Sequence, residues 1–199
     1  MALTLYNKKR NFNKTSEPKG QVKKSASKLS FVVQRHKATQ LHYDFRLELD
    51  GVLKSWAVPK GPSLNPKDKR LAMMVEDHPY DYKDFEGVIP KGNYGAGIVE
   101  IWDEGTYADA ENSPKEIAEK KLRAGLKAGD LKFQLFGKKL KGEFALVKLR
   151  GKDDNSWLLI KHRDSYATDT EYNSEAYTQP GSPINKWLAE NKKPVRKKN

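Results

Sequence analysis

The sequence predicts a mainly β protein: a closed or nearly closed antiparallel β-barrel with one or two short helices and flexible basic termini. Three observations lead there. Short apolar runs recur between Gly/Pro turns from residue 29 to 161. One of them alternates apolar and polar side chains almost perfectly. A single stretch carries helix start signals, and many short strands with one inserted helix suit a barrel or sandwich.

Residues 1–28 hold eight Lys/Arg and one acid, Glu17, and read as a basic arm that is poorly ordered unless tied down. Leu29–Arg35 is the first strand, centred on Phe31, Val32 and Val33. His42–Leu49 is the alternating one: Tyr43, Phe45, Leu47 and Leu49 share one face, and His42, Asp44, Arg46 and Glu48 the other. Asp50-Gly51 supplies a type I′ hairpin turn into a partner strand, Val52–Val58. Further strands are predicted at Leu71–Val75, Ile98–Trp102, Leu131–Phe136, Glu143–Leu149 and Trp157–Lys161. Between them Ser113 caps a helix, with Pro114 at its first position and Glu116 closing a capping box, running to about Leu126. Pro180–Pro183 separates the barrel domain, 29–179, from a basic tail, 180–199. Loops around 59–69 and 77–97 are long and rich in Gly and Pro, where binding residues are expected.

A chain of 199 residues suits one domain, and the absence of cysteine excludes disulfides, thiolate metal sites and cysteine nucleophiles. No apolar run approaches the ~18 residues of a membrane span, and the polar start is no secretory signal. A cytoplasmic monomer is the expectation. The net charge of +12 lies wholly in the ends: residues 1–28 carry +7, residues 185–199 carry +5, and 29–184 hold 24 charges of each sign. Basic arms attract polyanions, nucleic acid first; for Lys192, Lys193, Arg196, Lys197 and Lys198 a merely solubilising tail is the competing view.

His42 and Asp44 lie two apart on a strand, so both reach one point, and His36 at the end of the neighbouring strand can reach it too. Two imidazoles and a carboxylate suit Mn²⁺, Fe²⁺ or Zn²⁺. Arg46 shares that face, Lys60 follows in a Pro-Lys-Gly-Pro turn, Arg70 opens a strand, and His78 sits in a Glu-Asp-His-Pro turn four residues before Tyr82. A metal beside several cations suits a phosphoryl group. A plain solvated strand face is the bland alternative. A rival chemistry takes His42, Asp44 and His78 as the facial triad of a non-haem iron oxygenase, which leaves His36 idle.

The run from Phe31 to Glu48 (FVVQRHKATQLHYDFRLE) resembles the signature of the 3′-phosphoesterase domain of bacterial DNA ligase D. So do Trp56–Pro62, Glu76–Pro79 with Tyr82, Phe85–Pro90 and Trp157–Lys161, in order over about 29–165. The resemblance implies a β-barrel and a Mn²⁺-dependent activity on DNA or RNA–DNA primer-template 3′ ends in non-homologous end joining. Removal of a terminal ribonucleoside, then of the 3′-phosphate, leaves a 3′-OH. It further implies His36, His42 and Asp44 as metal ligands, and Gln34, Arg46, Lys60, Arg70, His78 and Tyr82 around the scissile phosphate. Arg10 and Glu17 match assisting residues, and Asn11 stands where the family pattern usually has Asp. Separate end-joining ligase, polymerase and Ku-type proteins are the implied partners. A catalytically weak module that only binds nucleic-acid ends is the alternative function.

Overall fold

Ten strands form one continuous sheet in a computed structural model, whose described residues are 3–25, 27–151 and 153–191. The barrel strands are β1 (Leu29–Lys37), β2 (Leu41–Leu49), β3 (Val52–Val58), β4 (Lys69–Met74), β7 (Gly97–Asp109), β8 (Asp130–Gly137), β9 (Lys141–Lys148) and β10 (Ser156–Lys161). They neighbour one another in the order β1-β2-β3-β4-β10-β9-β8-β7, and β7 pairs back onto β1, so the antiparallel barrel closes. Two short strands hang on its wall: β5 (His78–Pro79) on β3 and β6 (Gly87–Ile89) on β7.

The alternation in β2 does what its pattern predicts. Tyr43, Phe45, Leu47 and Leu49 enter the barrel core beside Phe31, Trp56, Trp102 and Phe133. Asp50 and Gly51 both have positive φ, 57° and 78°, as a type I′ turn requires. β7 runs far past its predicted end at Trp102. Asp103-Glu104-Gly105 has the composition of a turn, yet each residue has a reason to be in the strand. Asp103 accepts the backbone N–H groups of Lys138, Lys139 and Leu140. At Gly105 the neighbouring backbone passes so close that a Cβ would lie 2.3 Å from the Phe136 carbonyl oxygen. The helix α2 (Lys115–Ala128) also departs from its predicted start. Pro114, with ψ 148°, is its N-cap, because Asp109 takes both the N–H and the hydroxyl of Ser113, at 2.7 and 2.8 Å. A carboxylate at the end of β7 thus displaces the predicted capping box.

The larger corrections concern the ends. Residues 3–25 are not a loose arm: they fold over the barrel wall. Thr4–Lys8 forms a helical turn, α1, whose Tyr6 is fully buried and donates to the Pro18 carbonyl. Tyr6 and Leu3 pack with Leu53, Tyr82, Phe85 and Ile89 in a second apolar cluster outside the barrel. This cluster roofs the face of β2 that alternation assigns to solvent, and Asp44, Arg46 and Glu48 are all buried beneath it. At the other terminus the packing crosses the boundary predicted at 180. Ser174 accepts the Trp102 indole N–H at its carbonyl, Arg35 pairs with Glu100 and Glu175, and the helix α3 (Pro183–Glu190) buries Ile184. The basic cluster Lys192, Lys193, Arg196, Lys197 and Lys198 lies outside the described residues. No helix among the described residues is long and apolar enough to cross a membrane.

Candidate active site

The β1–β2 register sets His36 opposite His42 and Gln34 opposite Asp44, all on the outer face of the barrel under the second cluster. His36 Nδ1 stands 3.6 Å from Asp44 Oδ2, and His42 Nε2 stands 3.7 Å from Asp44 Oδ1. One donor atom from each of the three falls within 4.8 Å of the others, the sole such group among the described residues. Each imidazole is oriented from behind. His36 Nε2 donates to the Gly95 carbonyl at 2.9 Å and His42 Nδ1 to the Gln40 carbonyl at 3.0 Å. Since a carbonyl can only accept, each outer nitrogen carries a proton, which leaves the nitrogen facing Asp44 as the one a metal would take, the arrangement that metal-ligating histidines show. Burial opposes ionisation of Asp44, but Arg46, then His36 and His42, outweigh it and hold the carboxyl well below the usual carboxylate range. The donor chemistry therefore fits a borderline divalent metal.

Arg46 lies on the same face, two residues along β2. Its Nη2 donates to Asp44 at 3.0 Å, its Nε to Gln34 at 2.7 Å and its Nη1 to Ser55 at 2.9 Å. Gln34 is itself fixed, giving its amide N–H groups to the carbonyls of Tyr82 and Phe85. Glu48, next on that face, accepts from Ser25 and Ser30 and takes no part in the site.

The cover brings a second guanidinium. Arg10 donates to Glu17 at 2.8 Å, to Glu76 at 3.3 Å and to His78 Nε2 at 3.2 Å, with its plane 3.8 Å over the Tyr6 ring. An arginine can only donate, so His78 Nε2 accepts and its Nδ1 carries the proton, donated to the Glu76 carbonyl. Burial, then the charges of Arg46 and Arg10, push the His78 pKa well below its ordinary value. In this state Nε2 has no proton to give. Burial, with Glu17 adding to it, pushes the Tyr82 hydroxyl well above its ordinary pKa, so it stays protonated and donates to Glu17 at 2.9 Å.

Arg10, His36, His42, Asp44, Arg46, His78 and Tyr82 thus line one cavity of about 280 Å³. Gln34 and Glu17 stand behind it and hold its arginines. Lys60 and Arg70 do not line it. Lys60 is exposed in the turn after β3. Arg70 is tied to Asp68 and the Tyr172 carbonyl, on the same side of β4 as the core residue Ala72. Asn11 is exposed and accepts the Asn13 N–H. The facial triad of His42, Asp44 and His78 is not assembled, because both ring nitrogens of His78 are engaged elsewhere. Sequence reasoning missed two lining residues with polar side chains, Glu76 and Tyr94. Glu76 was findable: Val75 still bonds the Ser55 carbonyl of β3 and His78 pairs with Leu53, so the chain leaves that edge only at the charged pair Glu76-Asp77, which stands before His-Pro in the sequence.

Comparison with known proteins bears on this geometry. Residues 34–148 match the family described as the DNA Ligase D 3′-phosphoesterase domain. The chain is 52% identical over 169 residues, 83% of its length, to the Multifunctional non-homologous end joining protein LigD of Pseudomonas aeruginosa, covering 19% of that protein. It is 41% identical over 163 residues to the LigD of Mycolicibacterium smegmatis, covering 81% of this chain and 21% of that one. A Multifunctional non-homologous end joining DNA repair protein LigD of Mycobacterium tuberculosis is 43% identical over 157 residues, 78% of this chain and 19% of its own. By this match and these identities the chain belongs to the DNA ligase D 3′-phosphoesterase domain family. It spans about a fifth of the length of these relatives.

Proposed function

We propose that this chain is a divalent-metal-dependent phosphoesterase of DNA 3′ ends in non-homologous end joining. It would remove a 3′-terminal ribonucleoside, a 3′-phosphate, or both, to leave a 3′-OH. The observation that supports this best is the pairing of the His36–His42–Asp44 donor set with two buried guanidiniums in one cavity. The same donors occur in iron oxygenases; Arg10 and Arg46 are what turn the reading toward phosphate. Manganese, held by His36, His42 and Asp44, would supply Lewis-acid charge to a phosphoryl oxygen.

The residues of the chain do the rest by position. Three of Arg46's five N–H groups are held by Asp44, Gln34 and Ser55, which leaves two for phosphate oxygens. Glu17 and His78 fix the plane of Arg10, and Tyr82 keeps Glu17 in place. His78 contacts the substrate as a neutral imidazole rather than as an acid. Lys60, exposed outside the cavity, serves the nucleic-acid strand beyond the reacting phosphate, while Arg70, tied to Asp68 and the Tyr172 carbonyl, is left a structural part. DNA or RNA–DNA primer-template ends are the substrates in this proposal, and end-joining ligase, polymerase and Ku-type proteins the partners.

Incubation with Mn²⁺ and a primer-template ending in one ribonucleotide should shorten the primer. Asp44→Ala should lose roughly a thousandfold or more in rate, and calorimetry should show its Mn²⁺ binding lost. Near-normal turnover by folded Asp44→Ala would sink the metal site. A catalytically weak end-binding module is the second reading, favoured by Asn11. An aspartate there would accept the Asn13 N–H equally well, so Asn11→Asp should fold alike, and a large gain in rate would show that the native chain is impaired.

A further inference from the structure

The cavity, about 280 Å³, lies at the small end of pockets that take a compact organic ligand. With a phosphate beside Arg10 and Arg46, the exposed part of the lining is where the base of its nucleotide can lie. There stands Tyr94. It lines the cavity and is 46% exposed, whereas the other aromatic residues lining it, His36, His78 and Tyr82, are buried and His42 is half-buried. Its ring carries the Lys9 ammonium 4.4 Å from its centre and the Arg10 guanidinium at 5.5 Å. Its hydroxyl accepts from Lys9 at 3.2 Å and stands 3.5 Å from Glu76 Oε2. The loop beneath is built of short turns, Asn93 N–H to the Pro90 carbonyl and Ala96 N–H to the Asn93 carbonyl. The next residue, Gly95, holds His36 through its carbonyl. The platform and a metal ligand are thus set by adjacent residues.

We propose that Tyr94 is the stacking platform for the base of the 3′-terminal nucleotide, a substrate-positioning contact that tolerates any base and demands that one be present. An exposed aromatic ring in contact with cations is what proteins offer to single-stranded nucleic acids, since every base has a π-face and Lys9 can pass from the ring to a phosphate. The site then measures the end of a strand: phosphate and sugar inside, terminal base on Tyr94. This rests on the DNA-end reading above, and its test does not depend on turnover.

The probe is a primer-template whose 3′-terminal base is 2-aminopurine, titrated with the full 199-residue chain in EDTA. Wild type should quench the fluorophore by stacking, Tyr94→Phe and Tyr94→Trp should keep the quenching, and Tyr94→Ala and Tyr94→Leu should lose it. Tyr94→Ala should weaken binding by roughly ten- to a hundredfold. A primer with an abasic terminus should lose a similar factor, and combining the two changes should cost no more than either alone. Additive losses, undiminished quenching by Tyr94→Ala, or no quenching by wild type would each overturn the assignment. So would loss of quenching in Tyr94→Phe, which would reduce Tyr94 to a tether for Lys9. A wild type that quenches but never shortens a primer in Mn²⁺ would refute the reaction and leave the platform standing.

Discussion

Arg46 donates to three acceptors, Asp44, Gln34 and Ser55, and all three are buried. Arg46→Ala would strand the Asp44 carboxylate, and breaking a buried pair in that way costs about 3–5 kcal/mol, readable in a urea titration without metal. Arg46→Lys keeps the charge but not the fork, so at least one acceptor loses its partner, at ~1–3 kcal/mol. His78 gives stability a pH signature. Burial and two guanidiniums put its folded pKa below the ordinary 6.5, so between those values the unfolded chain binds the extra proton. Stability from this group is therefore full above pH ~6.5 and falls as pH drops below it, by up to ~1.4 kcal/mol per pH unit for one proton. His78→Gln should flatten the urea midpoint between pH 7 and 5. An unchanged slope would mean that His78 takes up its proton in the folded protein as readily as in the unfolded chain.

At the scale of elements, residues 3–25 decide whether the cavity has a roof. Tyr6 is fully buried against His78 and Tyr82, with ring centres 5.2 and 6.1 Å away. Tyr6→Ala should cost about 3–5 kcal/mol, in the range of large aromatic truncations. It should also lower turnover at saturating primer, because Arg10 arrives on the same segment. Deletion of 1–20 should do the same, where a purely electrostatic handle would raise only KM. The sequence made part of this legible. Strict alternation places His42, Asp44 and Arg46 on one face, and the hairpin partner brings His36 beside them. It hides the roof: α1 is five residues long, β5 two and β6 three, too short for any periodicity to show. Polar residues under such a roof look like a solvated face, since only tertiary packing distinguishes the two. In the same way Asp103 and Gly105 signal a turn locally and earn their place in β7 only through Leu140 and Phe136, more than thirty residues away.

Over the whole molecule, the charge excess and the fold divide differently from each other. The amino-terminal excess is partly consumed within the structure, where Lys9 pairs with Glu76, Arg10 with Glu17 and Lys23 with Asp81. At the carboxyl end, α3 belongs to the barrel: Ile184 is buried and the Asn185 side-chain oxygen accepts from Arg35. A truncation at 185 would therefore cut into packing and confuse binding with stability. Truncation after Asn191 separates them, because residues 192–199 carry five Lys/Arg and no acid, and Lys186 and Glu190 cancel within α3. That variant should melt like the full chain. If the five cations contact phosphates, the slope of log affinity against log salt should fall by ~0.9 for each lost contact, measured by anisotropy on a labelled primer-template. Rate at saturating primer should stay unchanged, since no cavity residue lies beyond Gly95. An unaltered salt slope would make the tail a solubilising segment, and the remaining electrostatic attraction would then belong to cations of the barrel such as the exposed Lys60.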